Sequence, residues 1–189
     1  MIVITGSIAS GKSTVCKLLK ENGYTIVDAD KIARELINPK SIEKLFGAKY
    51  IQNNEVDRKA LAKLIFSDKA QREKLNQYIH PLIREKIHHD VKKLEQAQIK
   101  YVVDIPLYFE SGHYDATTVA VVYCPRELQI ERLIKRDDLS REEAILRIEN
   151  QIDIKNKKAM ADFVIDNSQD LEHLKHETKR FMEFLDANI

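Results

Sequence analysis

Gly6, Gly11, Lys12 and Ser13 stand at the spacing G-x-x-x-x-G-K-[ST], inside the stretch GSIASGKST. The chemistry this spacing serves is the holding of a nucleotide's phosphates. Backbone N–H groups from Ala9 through Ser10 to Thr14, at the positive end of a helix, ring a β-phosphate. The Lys12 ammonium then bridges the β- and γ-phosphates, and the Ser13 hydroxyl is a ligand for Mg²⁺. Such a loop needs a strand before it and a helix after it. The run MIVIT supplies the first, and Val15, Leu18 and Leu19 give the second an inner face.

The loop leaves open where the terminal phosphate goes, to water or to an acceptor. A hydrolysing switch protein reads its base with an N-K-x-D pattern, which is absent here. A phosphotransferase needs a base, an acceptor pocket and a cover that excludes water. Thr25-Ile-Val-Asp-Ala-Asp30 ends an apolar run with two carboxylates, at the strand end where ligands of open parallel sheets gather. Asp30 is the candidate base for an incoming hydroxyl, and Asp28 the candidate to orient it. Asp30 also precedes Lys31-Ile-Ala-Arg34 as a helix N-cap would. Tyr101-Val-Val-Asp104 is an apolar strand closed by an aspartate, the pattern of a second magnesium ligand. The segment Pro106-Leu-Tyr-Phe-Glu110 after it reads as core or as the wall of an acceptor pocket.

These residues require a scaffold. Continuous apolar runs at Ile2–Thr5, Thr25–Asp28, Tyr101–Ile105, Thr118–Tyr123 and Phe163–Asp166 predict five buried parallel strands, separated by helical stretches. The chain therefore reads as an α/β fold with a core of residues 1–30 and 99–189. Residues 31–98 hold no convincing strand and far exceed one crossover, which predicts a helical insertion. Within it Asp57 is placed to cap a helix carrying Leu61, Leu64 and Ile65, and Pro81 is expected to kink or divide a longer helix. Ser140 and Glu143 fit a capping box ahead of Ala144, Ile145 and Ile148. Five of the ten arginines fall between Arg126 and Arg147, among nearly as many acids, as on an ion-paired helix surface.

Composition narrows the partners. A formal net charge of +1 gives no field that draws nucleic acid or an anionic membrane. No apolar run reaches the length of a bilayer span, and no basic signal region precedes the first strand. Cys16 and Cys124 match no metal or redox spacing, so a reduced, cytoplasmic protein is expected.

From end to end the chain resembles the dephospho-coenzyme A kinases. The marks are ITGSIASGKSTV, VDADKIAR, IHPLIR, VDIPLYFE, ERLIKRDDLSREEAILRIENQ and ADFVIDNS, in that order. The resemblance implies a P-loop fold of the nucleoside monophosphate kinase kind, with a five-stranded parallel sheet, a helical substrate-binding insertion and a lid at about 132–155. It implies transfer of the γ-phosphoryl group of ATP, with Mg²⁺, to the 3′-hydroxyl of dephospho-coenzyme A. Asp30, Lys12 and Arg136 are then catalytic. ATP is bound by Gly6, Ala9, Ser10, Gly11, Lys12, Ser13 and Thr14, with Asn167 bordering the adenine. Thr5, Asp28, Arg34, His80, Pro106, Leu107 and Glu110 belong to the acceptor, with His80 first a part of that domain's architecture. Arg132, Arg136, Arg141 and Arg147 are lid residues, and Ser13 and Asp104 hold the metal. Ser7 and Ala9 stand where the family has glycine; the loop is expected to tolerate these small side chains. Another small-metabolite kinase of the same fold is the alternative.

Overall fold

The computed structural model describes residues 1–112 and 114–188. From the amino terminus run β1 (Ile2–Gly6), α1 (Lys12–Glu21), β2 (Thr25–Asp28), α2 (Ala29–Leu36), α3 (Pro39–Phe46), β3 (Ile51–Gln52), β4 (Glu55–Val56), α4 (Arg58–Ser67) and α5 (Lys69–Gln96). They are followed by β5 (Tyr101–Asp104), α6 (Tyr108–Ser111), β6 (Thr118–Tyr123), α7 (Arg126–Asp137), α8 (Arg141–Glu149), α9 (Ile154–Ala159), β7 (Phe163–Asp166) and α10 (Leu171–Asn188). Two compact units result, Met1–Val27 with Lys93–Ile189, and Asp28–Lys92.

The first unit is built on a sheet of order β2-β5-β1-β6-β7, whose pairs β1–β5, β1–β6 and β6–β7 are parallel. In register, Val3 lies opposite Val103 on one side and Val119 on the other. Every residue of β1 is buried, which explains a run with no polar alternation. Val15, Cys16 and Leu19 of α1 and Leu174, Phe181 and Leu185 of α10 pack against Ile2, Ile4, Val102, Ala120 and Ile165 of the sheet. A second cluster joins Ile130 and Leu133 of α7 to Ala144 and Ile148 of α8, with Ile8 and Ala9 of the phosphate loop packed against it. The capping box at Ser140 forms as expected: the Ser140 hydroxyl accepts from Glu143 N at 3.1 Å, and Glu143 accepts from Ser140 N at 2.9 Å.

The second unit centres on Ile42, Leu61 and Leu75, with Phe46, Tyr50 and Ile65 against them. Asp57 caps α4 through Lys59 N and Ala60 N. One expectation for this segment is corrected and another is narrowed. It contains a small antiparallel hairpin, β3–β4, turned by Asn53 and Asn54 at φ 50 and 63. Asparagine is among the few side chains that accept this left-handed pair, but two-residue strands carry no periodicity to betray them. Pro81 does not divide its helix, for α5 runs unbroken through it. Leu75, Ile79, Ile83, Ile87 and Val91 are all buried along one side, and that packing outweighs the missing backbone hydrogen bond.

Candidate active site

β1 ends at Gly6 and α1 begins at Lys12, so the phosphate loop is the turn between them. Each of its two motif glycines is required for a different reason. A Cβ on Gly6 would stand 2.6 Å from Ser10 Oγ and 3.0 Å from Val122 O. Gly11 has φ 95, and a Cβ there would meet Asn167 Nδ2 at 2.0 Å. Inside the loop Ser10 N donates to Ser7 O and Thr14 N to Gly11 O, each at 3.0 Å. Ala9 has φ 59, so the expected tolerance at this position carries a backbone cost that alanine bears and glycine would not.

Residues outside the loop fix it from several directions. Lys12 Nζ is hydrogen-bonded to Asp104 Oδ1 at the carboxyl end of β5, the strand beside β1. Asp104 is buried, and its other oxygen accepts from Cys16 Sγ at 3.6 Å. That thiol is pushed up to about 12, by burial first and then by the Asp104 charge. Asn167 is buried behind the loop and donates to Ser10 O at 2.8 Å. Arg132 turns inward, donating from Nη2 to Asn167 O at 3.1 Å, while its buried Nη1 has no hydrogen-bond partner among the described residues. Ile8 N donates to Gln151 Oε1 at 2.8 Å, and Lys157 Nζ donates to Gly6 O at 3.0 Å.

The wall segment is held from behind. Thr5 is fully buried and its hydroxyl donates to Pro106 O at 3.1 Å. Leu107 is exposed, whereas Glu110 Oε1 pairs with Lys157 at 2.6 Å and accepts from Ile152 N at 3.1 Å. Among the remaining arginines two converge. Arg136 reaches Asp137 through Nε at 2.8 Å and Nη2 at 3.0 Å, and Arg147 Nη1 reaches the same carboxylate at 2.8 Å. The Arg136 hydrogen bond holds the Asp137 carboxyl below the usual carboxylate range, with the Arg147 charge adding to it, so Asp137 stays ionised at neutral pH. Arg141 pairs with Glu127 at 2.6 Å.

In the second unit, Asp28 and not Asp30 is the N-cap of α2: its carboxylate accepts from Lys31 N at 2.8 Å. Asp30 lies in the first turn, where its charge suits the helix dipole. Arg34 closes the last turn of α2, exposed, and His80 sits within α5 just before Pro81. Sequence reasoning missed the roles of Gln151 and Lys157 in holding the loop. Gln151 closes a motif that assigns it no role, and Lys157, set between Asn156 and Lys158, gives no sign of burial.

The family model for dephospho-CoA kinase matches residues 1–173. The chain belongs to the dephospho-CoA kinase family. A dephospho-CoA kinase of Sulfurimonas denitrificans is 45% identical over 188 residues, 98% of this chain and 94% of that protein. Among solved structures, the dephospho-CoA kinase from Campylobacter jejuni aligns with a TM-score of 0.78 at 34% identity, covering 100% of this chain and 98% of that one. The fold extends beyond the family. Shikimate kinase from Acinetobacter baumannii, in complex with shikimate, shares it at 16% identity and a TM-score of 0.57, covering 99% and 93% of the two chains. The family is one of kinases of the α/β P-loop fold, and that fold is the architecture found here.

Proposed function

We propose that the chain transfers the γ-phosphoryl group of ATP to the 3′-hydroxyl of dephospho-CoA, giving CoA and ADP. The observation that carries the reading is the phosphate loop, in which Gly6 and Gly11 leave no room for a side chain and Lys12, opening α1, meets Asp104 at the carboxyl end of β5, the strand beside β1. The family's end-to-end match supplies the acceptor. With its carbonyls at Gly6 and Ser10 held by Lys157 and Asn167, the loop opens α1 at Lys12, and the first-turn N–H groups of that helix suit a nucleotide's phosphates.

In this reading Asp30 takes the proton of the attacking 3′-hydroxyl. A bond forms from that oxygen to the γ-phosphorus as the bond to the bridging oxygen of ADP breaks. Lys12 and Arg136 stabilise charge on the transferring group, and catalysis is mainly positioning and electrostatics. The donor set of Ser13 hydroxyl and Asp104 carboxylate is all oxygen and suits Mg²⁺, which when bound would neutralise phosphate charge. Gly6 and Ala9 to Thr14 enclose the phosphates, with Asn167 beside the base. Thr5, Asp28, Arg34, His80, Pro106, Leu107 and Glu110 are the residues assigned to the acceptor. Arg132, Arg141 and Arg147 complete the lid.

A cytoplasmic setting belongs to the same proposal, supported by two buried cysteines that are both free. Among the described residues no helix is long and apolar enough to cross a membrane. The deciding experiment measures ADP release from Mg-ATP with dephospho-CoA beside nucleoside monophosphates and small metabolite alcohols. Release that depends on dephospho-CoA, with CoA as product, is expected. Release that depends on another acceptor sinks the substrate assignment but keeps the kinase, and slow release indifferent to acceptor sinks both.

A further inference from the structure

Lys157 is wholly buried. An ammonium group does not enter a protein interior without partners, and this one has two. It pairs with Glu110 Oε1 at 2.6 Å and donates to Gly6 O at 3.0 Å. Gly6 is the residue at which β1 becomes the phosphate loop, and Glu110 closes the wall segment that begins at Pro106. The same Glu110 oxygen accepts from Ile152 N at 3.1 Å, while the neighbouring Gln151 accepts from Ile8 N at 2.8 Å. Gln151 and Ile152 follow the C-cap Asn150 of α8, the second helix of the arginine-bearing hairpin. Six backbone or side-chain groups from four segments, namely the loop, the wall, the stretch after α8 and α9, therefore meet through one charge pair, buried at Lys157, and one amide.

We propose that Lys157 and Gln151 are positioning residues for phosphoryl transfer, which together hold the phosphate loop in register with the foot of the arginine-bearing hairpin and with the wall segment. The proposal rests on the kinase reading above but goes beyond it, since neither residue touches a substrate in that reading. Lys157 fixes the outer carbonyl at the loop's first residue, and Gln151 fixes an N–H two residues later. With both ends of Gly6–Ile8 held, the N–H groups that follow are aimed without reorganisation when the nucleotide enters. Because α7 and α8 also pack on Ile8 and Ala9, a displacement of the hairpin is passed to the loop through these contacts. An ordinary buried ion pair would stabilise the fold and do nothing more. The Gly6 carbonyl and the Ile8 amide make this one different, for they belong to the loop that holds the transferring group.

The test separates stability from turnover. Lys157→Met/Glu110→Leu exchanges the pair for apolar side chains, a change that buried pairs commonly tolerate. The expected result is a folded protein near the wild-type Tm whose kcat falls at least about tenfold while KM for ATP stays within about threefold, as for misaligned reactants. A folded double variant with wild-type kcat, or with a change confined to KM, overturns the role of Lys157. Should that variant not fold, Gln151 decides the matter, being half-buried and safer to replace. Gln151→Met is expected to lower kcat at least about fivefold without moving Tm, and Gln151→Glu, which keeps an acceptor for Ile8 N, to recover most of it. Equal kcat in Gln151→Met and wild type overturns the proposal. Wild-type enzyme assayed alongside separates the two readings: if dephospho-CoA elicits no ADP release, it is the substrate assignment that has failed. The same variants are then compared on acceptor-free ATP hydrolysis, with the same fold-changes expected.

Discussion

Ala9 holds a left-handed backbone at the centre of the phosphate loop, where its methyl also packs with Ile8 against α7 and α8. The left-handed region costs an alanine roughly 1–2 kcal/mol, and glycine's freedom in the unfolded chain returns about half of that. Ala9→Gly is therefore expected to stabilise the protein by about 0.5–1 kcal/mol, seen as a higher urea midpoint at unchanged slope. A lower midpoint would mean that the methyl contact outweighs the strain. Asp30→Asn tests a different kind of residue. Loss of a general base is expected to lower kcat by about 10²-fold or more with ATP affinity nearly unchanged, and undiminished turnover removes Asp30 from that role. At this scale the sequence is legible where a motif fixes spacing and obscure where a side chain's use depends on a distant partner. Gly6, Gly11 and Lys12 are readable from spacing alone. The choice between Asp28 and Asp30 as cap turns on where β2 stops, a matter of a residue or two that apolar pattern does not settle. Lys157 is invisible because its burial depends on Glu110 and Gly6, neither of them near it in sequence.

Among the elements, α5 shows how packing overrides local preference. Its buried residues recur every four positions from Leu75 to Ile87, past a proline that removes one hydrogen bond and crowds the turn before it. Pro81→Ala restores the N–H and a good helix former, at the cost of a freer unfolded chain. A net stabilisation of about 1–2 kcal/mol is expected, measured by denaturant unfolding, and a loss of stability would show that the helix is shaped around the ring. If turnover falls while stability rises, the proline has a functional use of its own. The same unit shows what sequence reading leaves out. The Asn53-Asn54 turn is a recognisable hairpin signal, yet the strands it joins are too short to alternate. By contrast α4 and α8 were readable to the residue at their starts, because Asp57 and Ser140 are side chains that satisfy backbone donors directly. On the hairpin, the arginine-rich stretch is ion-paired as expected of a charged surface, but not uniformly so. Arg136 and Arg147 share Asp137, while Arg132, one turn before Arg136 on the same side of α7, reaches Asn167 at the loop.

On the scale of the whole core, the inner strands β1, β5 and β6 were legible because strands covered on both faces need apolar residues at nearly every position, and a run such as VAVV admits few other readings. By contrast β2 and β7, expected to be buried too, are edge strands and only partly buried. The order β2-β5-β1-β6-β7 was not legible, since spatial order follows from crossover packing between segments far apart in sequence. That order puts β1 in the middle, and the two cysteines report on how firmly it is held. Cys16 lies on α1 within the main core, and Cys124 directly follows β6, fully buried. Burial is the first cause that raises both thiols, Cys16 to about 12 and Cys124 to about 11. For Cys124 the nearby Arg132 charge works the other way but does not prevail. Thiolate is the reactive form, so at pH 8 neither should react with a thiol reagent in the folded protein. Both become reactive only on opening. If the sheet, α1 and α10 unfold as one unit, the two labelling rates should fall together to one protection free energy and steepen equally with urea. Each cysteine is followed in the variant that replaces the other with alanine, with stability checked beside it. Faster labelling of Cys124 at low urea would show that β6 and its following turn open locally, and the phosphate loop packed beside them would then be the part of the core that yields first.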